Sequence, residues 1–137
     1  MKGMTATLAS TPLQHAATHL EFLGYRAEPD DSGINFRHDV KPFLRIYGHG
    51  DRLIFLVPFG VGSGAAADSG GFAEFLNRAN TQTVLCKFYS DGRTLFVQSI
   101  YAGPYEKASF GSFFDAFMEE IWAPQKLLPD DVKKFLT

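Results

Sequence analysis

The clearest pattern in the chain is an aromatic stripe near its C-terminal end. Phe110, Phe113, Phe114, Phe117, Met118, Ile121 and Trp122 recur at i, i+3, i+4, i+7, i+8, i+11 and i+12, the spacing of one helical face. Ser109 is placed to cap this helix and Pro124 to end it, while Asp115, Glu119 and Glu120 fall on the polar side. A first helix is predicted over residues 12–23, where Leu13, Ala16, Ala17, Leu20 and Leu23 share a face. Thr11 is its cap, Pro12 suits the first helical position, Gln14 completes a capping box and Gly24 supplies the stop. A second helix ends near Ala79, with Phe72, Phe75, Leu76 and Ala79 at helical spacing. A short further helix is expected within residues 127–136.

Between the helices the polar pattern shortens to a period of two or to apolar runs. Strands are predicted over residues 34–38, 43–47, 53–59, 84–90 and 94–101. Asp30-Asp31-Ser32-Gly33 forms a turn before the first, and His49-Gly50 and Asp91-Gly92 are hairpin signals. The order α-β-β-β-α-β-β-α predicts an α+β fold with a five-stranded antiparallel sheet. One domain is expected over residues 1–137, with a core at about 12–122, a flexible N-terminus and a C-terminal tail. The connection at 60–71, with five glycines and three consecutive alanines, is expected to be mobile.

Hairpin parity sorts the strand residues into two faces. One carries Leu44, Ile46, Leu53, Phe55 and Val57, with Val84, Cys86, Phe88, Leu95, Val97 and Tyr101 on the later hairpin. These suit a core covered by helices. The opposite face mixes Phe43, Ile54, Leu56, Tyr89, Phe96 and Ile100 with Arg45, Lys87 and Gln98. That is too apolar for a fully solvated surface, and reads either as a face partly covered by a loop or the C-terminal tail or as a surface for another protein chain.

Composition adds exclusions. Thirteen Lys and Arg oppose fifteen Asp and Glu among 137 residues, a net charge of −2, so a basic footprint for direct nucleic-acid binding is absent. One cysteine, Cys86, cannot form an internal disulfide framework. The N-terminus lacks the apolar run of a signal peptide. No apolar stretch approaches the roughly 20 residues of a membrane span, and a cytoplasmic protein is expected.

The candidate chemistry is sparse. Gly60-x-Gly62-x-x-Ala65 follows a strand and precedes a helix, as a dinucleotide fingerprint would. The next strand turns back through Asp91-Gly92, however, and no second βαβ unit follows. His15 and His19 have a metal-capable i, i+4 spacing but no third ligand in sequence. Cys86 reads as a buried structural thiol, and Asp115, Glu119 and Glu120 read as a solvated helix face. No catalytic residue, metal or cofactor is assigned.

Leu23-Gly24-Tyr25, Phe75-Leu76-Asn77-Arg78-Ala79-Asn80, the segment from Lys87 to Leu95 and the Phe-rich last helix together resemble the YbjN family of bacterial proteins, described as sensory transduction regulators. The resemblance spans roughly residues 12–122. YbjN-like domains are in turn similar to type III secretion chaperones, usually homodimers that bind a segment of another protein. The resemblance implies a non-enzymatic adaptor or chaperone-like regulator. Partner contacts are expected at Phe43, Arg45, Ile54, Leu56, Lys87, Tyr89, Phe96 and Ile100. A homodimer interface is expected at Phe72, Phe75 and Leu76 or along residues 84–90. The alternative is a small-molecule or nucleotide-binding protein that uses the connection at 60–71.

Overall fold

The computed structural model describes residues 11–137; the flexible N-terminus expected from sequence falls on residues outside these. The described elements are α1 (Pro12–Phe22), β1 (Arg26–Pro29), β2 (Ile34–Arg37), β3 (Leu44–His49), β4 (Arg52–Gly60), α2 (Ser63–Ala67), α3 (Ser69–Thr81), β5 (Lys87–Ser90), β6 (Thr94–Ala102), α4 (Lys107–Glu120), α5 (Ala123–Leu127) and α6 (Pro129–Phe135). The fold is α+β with one antiparallel sheet in the order β1-β2-β3-β4-β6-β5. The backbone groups into two compact units. The first comprises the described residues from Thr11 to Phe55 with Ile100–Phe113, and the second comprises Leu56–Ser99 with Phe114–Thr137.

In the first unit, α1 starts at Pro12 with Thr11 as its cap, as predicted. Thr11 Oγ1 accepts from Gln14 N at 3.2 Å, and Gly24 ends the helix at φ +98°. Ala16, Ala17 and Leu20 are buried with Ile34, Phe36, Leu44, Ile46, Leu53 and Phe55. On α4, Phe110 packs against Phe55 at 5.9 Å and Tyr101 at 5.3 Å between ring centroids. The helix begins at Lys107 because the Glu106 carboxylate accepts from Ala108 N at 2.9 Å and Ser109 N at 3.0 Å. Glu106, and not Ser109, is therefore its cap.

The sheet has six strands among the described residues, not five. The unforeseen strand is β1, which pairs antiparallel with β2 from Arg26↔Arg37 to Pro29↔Ile34. Arg26, Glu28 and Pro29 are exposed. An edge strand needs no buried alternation and tolerates proline, so hydrophobic patterning carries no trace of it.

In the second unit, Val57, Phe75, Ala79, Phe88, Leu95, Val97, Phe114, Phe117, Ile121 and Phe135 form the buried core. The β5–β6 hairpin pairs Ser90 with Leu95, Tyr89 with Phe96, Phe88 with Val97 and Lys87 with Gln98. This is two residues wider than a two-residue turn at Asp91-Gly92. Asp91 Oδ1 accepts from Arg93 N and Thr94 N, both at 2.9 Å, and closes the larger loop. A shift of two preserves parity, so the predicted faces survive. β5 begins at Lys87 and leaves Val84 93% exposed, against the expected strand from residue 84. The C-terminal tail folds as two short helices, and Phe135 at its end is buried.

Candidate functional site

The second unit presents a half-exposed aromatic pair on the sheet face opposite its core. Phe88, Leu95 and Val97 point inward and are buried, while Tyr89, Phe96 and Gln98 are half-buried and Lys87 is exposed. The cross-strand partners Tyr89 and Phe96 have ring centroids 5.5 Å apart at 31°, within the range of favourable aromatic pairing. Tyr89 Oη donates to Gln98 Oε1 at 3.0 Å. Lys87 Nζ lies 5.4 Å from the centre of the Tyr89 ring. The tyrosine is thus held from three sides, and its remaining surface is presented with little rotamer entropy left to lose. Leu56, on β4, is half-buried.

β5 closes one end of the strand order, yet its outer edge is not open. Asn80, in the last turn of α3, accepts from Phe88 N at 2.7 Å through Oδ1 and donates to Phe88 O at 2.9 Å through Nδ2. One side-chain amide therefore makes both bonds that a neighbouring strand would make. Upstream, the Glu120 carboxylate accepts from the N–H groups of Val84, Leu85 and Cys86, the last two at 2.9 and 3.1 Å. Ser99 Oγ donates to Leu85 O at 2.8 Å. These bonds hold residues 84–86 off the sheet and delay the strand. Glu120, expected on a solvated face, instead binds backbone. Cys86 is buried, and its thiol pKa is pushed up by burial and by Glu120, which keeps it a poor nucleophile.

The connection at 60–71 is occupied by the chain's own C-terminus. Val61 bridges Leu136, Gly62 N donates to Phe135 O at 2.8 Å, and Thr137 N donates to Gly60 O at 3.1 Å. A Cβ on Gly64 would strike the Lys134 carbonyl, and one on Gly60 would strike Thr137 Oγ1. The glycines thus serve close backbone approach. Residues expected to be a mobile loop form α2 and the start of α3, joined at Asp68. Asp68 accepts from Gly71 N at 3.0 Å and pairs with Lys134 Nζ at 2.6 Å, and Arg78 pairs with Asp131. Phe135 packs on Phe72 and Phe75 at 5.5 and 5.6 Å. Of the three residues expected at a dimer interface, Phe75 is 1% exposed, Phe72 is also buried, and Leu76 keeps partial exposure.

In the first unit, Phe43 lies under the Arg37 guanidinium at 5.0 Å. The Arg45 guanidinium binds Asp30 Oδ2 at 2.8 Å, Asn35 Oδ1 at 2.7 Å and Ser32 Oγ at 2.7 Å. It pins the turn between β1 and β2. The Asp30 carboxyl is held well below the usual carboxylate range, first by Arg45 and then by the N–H of Ser32. Ile54 is buried and Ile100 is 47% exposed. His15 and His19 both contact Tyr105. His15 stacks on Tyr105 at 5.1 Å, and His19 Nδ1 is 2.9 Å from Tyr105 Oη. Beside them lies an open cleft of about 400 Å³ lined by Thr18, His19, Phe22, Leu23, Tyr105 and Lys107. Sequence reasoning missed this cleft. The available signal was Phe22, a large apolar residue off the buried face of α1.

No family model and no curated protein matches the chain. Among solved structures, it is similar to YbjN from E. coli, described there as a proposed transcription regulator. The TM-score is 0.69 at 16% identity over 91% of this chain and 95% of that one. The likeness establishes a shared fold.

Proposed function

We propose that the chain is a non-catalytic, regulator-like adaptor that binds another protein through the exposed side of the β5–β6 hairpin. The observation that carries this reading is the ordered Tyr89–Phe96 pair, flanked by Lys87 and Gln98 and only partly buried. Aromatic groups immobilised before binding lose little entropy on docking and are favoured at the energetic centre of interfaces. A partner would gain about 25 cal/mol per Å² of apolar surface buried, less the association costs. Lys87 would orient a polar or acidic segment of that partner. Leu56, on the same unit, is a secondary contact. Ile54 and Arg45 act within the chain, in its core and in the β1–β2 turn.

The absence of catalysis is part of the proposal. It is supported by the burial of Cys86 and by the use of Asp30, Asp68, Glu106 and Glu120 as backbone and ion-pair anchors. We further propose a homodimer in solution, with Leu76 as the α3 contact; light scattering at tens of micromolar would refute it by returning a monomer mass. Partner binding is tested with Tyr89→Ala and Phe96→Ala, each first shown to be folded by circular dichroism. Both should lose partner capture that Glu119→Ala retains. Full retention by both folded variants would place the interface elsewhere.

A further inference from the structure

The first unit carries an open cleft of its own. The cleft of about 400 Å³ between the end of α1 and the start of α4 lies within the range that bound organic groups occupy, roughly 300–1,000 Å³. Its walls are mostly apolar, and its rim is unusual. Phe22 is 87% exposed, although it could have been polar at no cost to the core, and Leu23 is 43% exposed. The floor is rigid. Tyr105 is held by the hydrogen bond to His19 and the stack on His15, and His19 rests against Phe110 at 4.9 Å.

One charge faces this apolar surface. Lys107 lines the cleft, and its ammonium takes part in no ion pair among the described residues. The neighbouring Glu106 carboxylate does not neutralise it at close range, being turned onto Ala108 N, Ser109 N and Ser109 Oγ. An apolar hollow beside an unpaired cation fits a group that is apolar at one end and anionic at the other. The extreme exposure of Phe22 selects among such groups. A small molecule buries most of its surface in an enclosing pocket, whereas a side chain from a docked peptide leaves its backbone outside, where Phe22 and Leu23 can cover it.

We infer that this cleft docks a peptide segment of a partner protein, with an apolar side chain in the hollow and an Asp or Glu within about three residues of it on Lys107. The test is selection of a displayed library of random twelve-residue peptides on the purified chain, followed by synthesis of an enriched peptide. Enriched sequences should pair an aromatic or aliphatic residue with a nearby acid. Phe22→Ser and Lys107→Glu should each weaken the synthetic peptide by about tenfold or more. Lys107→Glu should regain binding when the peptide's acid is replaced by Lys. Tyr89→Ala should leave the affinity unchanged, which separates this surface from the hairpin face. Both substituted side chains are exposed, so neither change threatens folding. The inference is overturned if no such pattern is enriched, or if the peptide binds Phe22→Ser and Lys107→Glu as it binds the parent. It is also overturned if Phe22→Ser abolishes self-association, which would make a second copy the occupant.

Discussion

Replacing Asn80 by alanine should loosen the β5 edge. The variant removes two hydrogen bonds, to Phe88 N and Phe88 O. Each is worth about 0.5–1.5 kcal/mol net. Asn80 stands at the solvent boundary, so water can replace part of the lost bonding, and the expected loss is about 1–2 kcal/mol. Alanine also raises helix propensity in α3 by several tenths of a kcal/mol, which masks part of the effect. Asn77→Ala controls for this. Asn77 lies one turn earlier, is exposed and makes no hydrogen bond comparable to those of Asn80. The difference between the two variants isolates the seal. Asn80→Asp should be at least as damaging as alanine, because a carboxylate oxygen would then face the Phe88 carbonyl. Urea unfolding gives the stability difference, and hydrogen exchange at the Phe88 amide gives its location. If Asn80→Ala is as stable as Asn77→Ala and Phe88 keeps its protection, the amide does not hold the edge.

Three further outcomes follow from the same geometry. Gly64→Ala should destabilise more than Gly60→Ala in urea, since the first meets the Lys134 backbone carbonyl and the second a movable Thr137 side chain. Acid should weaken the fold. Asp30 is held below its ordinary value by Arg45, Asp68 by Lys134, Asp91 by the N–H of Arg93 and Glu106 by the N–H of Ala108. Depressed carboxylates contribute above their unfolded values, near about 4, and the contribution is lost as pH falls toward the folded ones. The urea midpoint should therefore drop between about pH 5 and about pH 2.5, and less steeply in Lys134→Met, where Asp68 has lost its ammonium partner. Cys86 should resist an aromatic disulfide reagent in the native state and react at once in denaturant, because burial and Glu120 keep the thiol protonated; rapid native labelling would contradict its placement.

Much of the fold was legible because it rests on local rules. The Thr11 cap, the Gly24 stop and the Phe stripe of α4 are read within one or two turns of chain. The face of Tyr89 and Phe96 followed from parity, which tolerates a turn misjudged by two residues. What escaped depends on partners remote in sequence. The glycines at 60–64 look like a loop until residues 134–137 lie against them. Glu120 looks like surface until the N–H groups of Val84, Leu85 and Cys86 converge on it from 34–36 positions away. β1 escaped for a different reason, since an exposed edge strand asks nothing of its side chains. The cleft near Tyr105 required knowing that α1 and the segment before α4 meet, which hydrophobic periodicity does not encode.

The central claim is that the Tyr89–Phe96 face meets another protein chain. Its most direct measurement places a photo-reactive benzoylphenylalanine at Phe96, and separately at Glu119 on the exposed side of α4, in protein expressed in the source cell. Irradiation should yield a discrete adduct of higher mass from position 96 and none from position 119. Equal adducts at both positions, or none at 96 in a folded protein, would contradict the account.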